Sequence, residues 1–68
     1  MTEYRFVILR KNSDLHVVVD TLDLTVRYIG KDVGQYIAEL EERLKTAEGE
    51  EKEELQWEIS DLKAQLGA

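Results

Sequence analysis

A chain of 68 residues with no cysteine and a net charge of −6 has few ways to hold a fold together. One domain, 1–68, is the only sensible count. Disulfides are excluded, and a structural zinc is nearly excluded because His16 is the sole histidine. Domains this small draw only about 3–5 kcal/mol from one core and usually add a staple, of which oligomerisation is the common one left.

The 43% hydrophobic and 35% charged shares suit a folded chain rather than a disordered one. In residues 1–34, Arg5, Arg10, Lys11, Arg27 and Lys31 balance Glu3, Asp14, Asp20, Asp23 and Asp32, so the acidic excess lies wholly in 35–68. Such a surface repels nucleic acid and anionic membranes. Met1-Thr2-Glu3-Tyr4-Arg5 shows no basic lead into a long apolar run. The longest aliphatic runs, Val7-Ile8-Leu9 and Val17-Val18-Val19, fall far short of the ~20 residues that span a bilayer. A small soluble protein of the cytoplasm is expected, and the absence of cysteine fits a reducing compartment.

Residues 1–30 alternate with period two and predict an antiparallel sheet of two or three strands, a β-meander, at about 3–10, 14–20 and 23–29. Lys11-Asn12-Ser13-Asp14 is good hairpin chemistry. Asp20-Thr21-Leu22-Asp23 is weaker, and 15–29 as one long bent strand is the alternative. One face is expected to be continuously apolar, through Tyr4, Phe6, Ile8, Leu15, Val17, Val19, Leu22, Leu24, Val26 and Tyr28. The other mixes Val7, Leu9, Val18 and Ile29 with Arg5, His16, Asp20, Thr25 and Arg27. That mixed face is too apolar to be fully solvated, so part of it should be covered by helix or by another chain.

Residues 31–68 switch to a period of 3.6 and predict an acidic helical hairpin. Gly30 ends the last strand, and Asp32 with Gln35 resembles a capping box. Val33, Ile37, Leu40, Leu44 and Ala47 form one stripe; Leu55, Ile59, Leu62 and Leu66 form a second. Two helices, about 32–47 and 50–66, follow, with Lys45 near the first C-terminus and Gly49 as its C′ residue. One long coiled-coil helix over 32–66 is the alternative, since a lone glycine costs a helix only ~1 kcal/mol. The fold class is therefore α+β, oligomeric.

Each helical stripe is narrow, and one chain has too little surface to cover both stripes and the sheet. A homodimer or larger assembly is expected, with Leu55, Ile59, Leu62, Leu66 and Val18 as contact residues and Trp57 as the anchor. Packing of Trp57 on this chain's own sheet, or on a foreign protein, are the other placements considered. The partner is the chain itself, with another protein left open as a second.

No catalytic, cofactor or metal residues are assigned. Ser13, His16, Asp14 and Asp20 are strung along one hairpin edge and do not converge as a triad requires. Glu50, Glu54, Glu58 and Asp61 make a helical row that reads as a solubilising face, lacking the geometry of a calcium loop. That row also permits an acidic inhibitor mimicking nucleic acid. Arg5, Arg10, Lys11 and Arg27 permit a β-ribbon nucleic-acid regulator, although the acidic balance opposes it. A non-enzymatic interaction or assembly module is the leading expectation.

Overall fold

The computed structural model describes residues 4–67. Three strands, β1 (Phe6–Arg10), β2 (His16–Asp20) and β3 (Thr25–Gly30), precede two helices, α1 (Val33–Leu44) and α2 (Glu50–Gly67). The strands form one antiparallel sheet in the order β1-β2-β3, an α+β arrangement. Residues 15–29 are thus two strands rather than one bent strand, and 32–66 is two helices rather than one. The expected start of the first strand at Glu3 lies outside the described residues.

The first hairpin closes as its residues dictate. Asn12 Oδ1 accepts from Asp14 N–H at 2.9 Å, and Lys11 N–H donates to Leu15 C=O at 2.9 Å. Its length pairs Phe6 with Asp20, Ile8 with Val18 and Arg10 with His16. Even-numbered residues of both strands therefore share a face. This overturns the expected faces, which set Phe6 and Ile8 beside Val17 and Val19; a one-residue change of register moves every side chain across the sheet. A bulge opposite Val18–Val19 then shifts β3, pairing Tyr28 with Val18 and Val26 with Val19.

The connection into α1 is pinned by Tyr28. Its hydroxyl donates to Asp32 C=O at 3.1 Å and accepts from Asp32 N–H at 3.3 Å. A Cβ at Gly30 would lie 2.6 Å from the Tyr28 ring, so this passage requires glycine. Asp32 caps α1 through Gln35 N–H at 3.0 Å. The helix ends earlier than expected, at Leu44, in a tightened turn with Lys45 N–H on Glu42 C=O and Thr46 N–H on Arg43 C=O. Gly49 consequently is not the C′ residue of α1. With φ at +65° it opens α2 instead, its carbonyl accepting from Glu53 N–H at 3.3 Å.

The core lies between one sheet face and the helical hairpin. Phe6 and Val18 come from the sheet, Val33, Tyr36, Ile37 and Leu40 from α1, and Leu55, Ile59 and Leu62 from α2. Tyr28 stacks on Tyr36 with centroids 4.7 Å apart. Burying these side chains is what drives the hairpin onto the sheet. No helix among the described residues is long and apolar enough to cross a membrane.

Candidate interaction surface

Each strand shows its other face to solvent. That face carries Val7 and Leu9 from β1, Val17 and Val19 from β2, and Val26 and Ile29 from β3. All six are aliphatic. Val7, Val17 and Val19 are half-buried by their neighbours, while Leu9, Val26 and Ile29 are more than half exposed. Polar residues usually occupy the solvent face of an antiparallel sheet. Here the polar strand residues His16, Asp20 and Arg27 face the helices instead.

The β2–β3 turn adds two large side chains to the exposed apolar surface. Asp20 Oδ1 accepts from Leu22 N–H at 3.0 Å, and Asp23 Oδ1 accepts from the Thr25 N–H at 3.1 Å and its hydroxyl at 2.6 Å. The two aspartates fix the backbone, and Leu22 and Leu24 stand 72% and 82% exposed. Leu24 also has φ at +60°. A branched aliphatic residue is poorly suited to left-handed backbone, and at 82% exposure it buries little in return.

The six residues expected to make contacts divide. Val18, Leu55, Ile59 and Leu62 lie in the core of their own chain, so the stripe expected to seek a partner finds α1 and the sheet. Leu66 and Trp57 remain half exposed. Trp57 meets Phe6 edge-on at 6.4 Å, and the Arg5 guanidinium lies 5.0 Å over its ring. Trp57 and Arg5, with Tyr4, Thr21 and Leu22, border an open cleft of about 340 Å³.

Three carboxylates are drawn inward, and two of them, Glu58 and Asp61, come from the row expected to be solvated. Asp20, 2% exposed, takes a bidentate bond from Arg5 at 3.0 and 2.9 Å. That bond holds its carboxyl below the usual aspartate range. Glu58, 1% exposed, accepts from the Tyr36 hydroxyl and pairs with Arg27 at 3.2 Å. Burial, then the Glu58 contact, push the Tyr36 phenol well above its ordinary value. Asp61 turns to the sheet and accepts from Arg5 and Phe6 N–H. The expected acidic row is accordingly broken: Glu50 and Glu54 stay exposed, while Glu58 and Asp61 are engaged. Arg5 is likewise occupied under α2, whereas Arg27 commits only Nη2 to Glu58 and keeps its side chain 38% exposed.

His16 stands opposite Arg10 at the far end of the covered face. Its Nδ1 is buried without a hydrogen-bond partner among the described residues. Ser13, Asp14 and Asp20 make no hydrogen bond to it. Among the described residues no group of three or more His, Asp or Glu is placed to hold a metal ion.

No protein-family model, no curated protein and no solved structure matches this chain. The six aliphatic residues of the open sheet face were not recognised together in the sequence. The signal that finds them is the hairpin length, since it decides which alternate set faces the helices.

Proposed function

We propose that this chain is a non-enzymatic assembly module that associates with copies of itself through the open sheet face. The observation that carries the reading is the set Val7, Leu9, Val17, Val19, Val26 and Ile29, aliphatic at every position on an uncovered face. Leu24 supports it, because a leucine kept in left-handed backbone and nearly full exposure serves no packing role inside one chain. This contact surface replaces the helical stripe expected from sequence.

The face suits a two-fold pairing. Two such sheets would stack about 10 Å apart, strands aligned within about 30°, as a six-stranded sandwich. From strand spacing and rise, the footprint is roughly 250 Å² per copy. That is below the ~800 Å² per partner of a standard interface. About 500 Å² of apolar surface contributes on the order of 12 kcal/mol, against an association cost of about 4–15 kcal/mol. Reversible, concentration-dependent association follows, rather than a permanent dimer.

Sedimentation velocity over a wide concentration range tests this. Mass should rise above that of one chain as concentration increases. Leu9→Asp combined with Val26→Asp, both at solvent-exposed positions, should hold the chain as a folded monomer. A parent chain that stays monomeric throughout, or a double variant that assembles unchanged, overturns the proposal.

A further inference from the structure

The two edges of the sheet are finished differently. On β1, odd-numbered residues bond β2, as in Thr21 N–H to Arg5 C=O and Lys11 N–H to Leu15 C=O. Phe6 and Ile8 therefore turn their main-chain groups outward. Side chains of α2 meet them. Asp61 Oδ2 accepts from Phe6 N–H at 3.2 Å; Gln65 accepts from Ile8 N–H at 2.9 Å and donates to Phe6 C=O at 2.6 Å. Asp61 and Gln65 are one helical turn apart, so α2 substitutes for a neighbouring strand and closes this edge.

On β3 the same alternation leaves Ile29, opposite Val17, with its N–H and C=O directed away from the sheet. No described hydrogen bond reaches either group. Beside this edge runs an open cleft of about 380 Å³, lined by Asp23, Thr25, Val26, Arg27, Tyr36 and Arg43. Arg43 makes no ion pair among the described residues, and Arg27 commits only Nη2 to Glu58. In a chain of net charge −6, an unsealed edge is thus flanked by two guanidinium groups.

We propose that β3 is a strand-addition site for an extended peptide segment that alternates acidic and apolar residues. The site is the main-chain edge of β3 rather than the open face, although Ile29 borders both; its occupant differs from that of the self-association above, and it does not depend on it. Main-chain bonds to Ile29 supply the docking, and side-chain alternation supplies the selection. Acids on one side of the added strand face the cleft and bond Arg43 and the free nitrogens of Arg27. Apolar residues on the other side extend the open face beside Val26 and Ile29. The bulge on β3 confines regular pairing to its Tyr28–Gly30 end.

A fluorescent, end-blocked peptide alternating valine and glutamate tests the site by anisotropy, with a valine–lysine peptide as control. Arg43→Gln should weaken capture of the acidic peptide about tenfold. Ile29→Pro should abolish it, since proline removes an outward N–H and no bond within the sheet. Circular dichroism checks each fold, and Arg43→Gln at an exposed position decides the matter if Ile29→Pro fails to fold. Equal binding of the two peptides, no binding of either, or undiminished capture by Arg43→Gln overturns the proposal.

Discussion

Glu58 offers a demanding test of the fold, because a glutamate on an acidic helix invites the assumption that it is solvated. It is 1% exposed, accepts from the buried Tyr36 hydroxyl and pairs with Arg27. Glu58→Ala removes the acceptor and leaves that hydroxyl without a partner, which costs about 1–3 kcal/mol. The vacated volume adds to this. Arg27 contributes less, because its side chain is 38% exposed and solvent screens it. The total is about 3 kcal/mol, most of the ~3–5 kcal/mol a domain of this size commands.

Glu58→Gln separates the causes. It keeps the shape and an amide oxygen for Tyr36, and should cost only about 1 kcal/mol. Urea denaturation followed by circular dichroism and Trp57 fluorescence measures both. Glu58→Ala should keep only about 0–2 kcal/mol, so its urea midpoint should fall by more than half. A Glu58→Ala protein within about 0.5 kcal/mol of the parent would refute the buried position of this residue.

The Arg5–Asp20 pair predicts an acid limb. Because Asp20 titrates below its unfolded value near 3.8, its stabilisation is present above that value. It is lost as pH falls from there through the lower folded-state value. Asp20→Asn should flatten the acid limb of the stability profile by thermal melts. Leu24 predicts an opposition between stability and association: Leu24→Asn relieves backbone at φ +60° and should stabilise the chain by about 0.5–1 kcal/mol. The same change should weaken self-association by sedimentation.

Element types were legible in this sequence because period two and period 3.6 are separated at Gly30. The helical hairpin was only partly legible: Gly49 lies between two stripes, but one continuous helix fitted them too, and the glycine opens the second helix rather than closing the first. The open apolar face was less legible. Alternation finds two sets of residues in each strand, but only register joins sets across strands. The pairing of Ile8 with Val18 joined even to even, and the bulge at Arg27 then carried Val26 and Ile29, three residues apart, onto one face. Glu58 and Asp61 were misplaced for another reason. Helical spacing sets their row, but only the sheet's arginine and free N–H groups make turning that row inward favourable.

That inward turn shapes the electrostatics of assembly. The open face has no ionisable side chain among its six residues, and the acidic excess of the chain lies in the helices on the other side of the sheet. In a face-to-face pair, the two helical layers would be separated by both sheets, roughly 30 Å, which exceeds the ~8 Å Debye length at physiological salt. Repulsion between copies would therefore be screened, and the proposed contact would contain nothing that salt can weaken. Raising salt to about 1 M should leave self-association unchanged or strengthen it. Capture of an acidic peptide at β3, which relies on Arg27 and Arg43 near the surface, should weaken under the same change. Association that dissolves in salt would be charge-driven, and would belong to the acidic helices rather than to the valine-rich face.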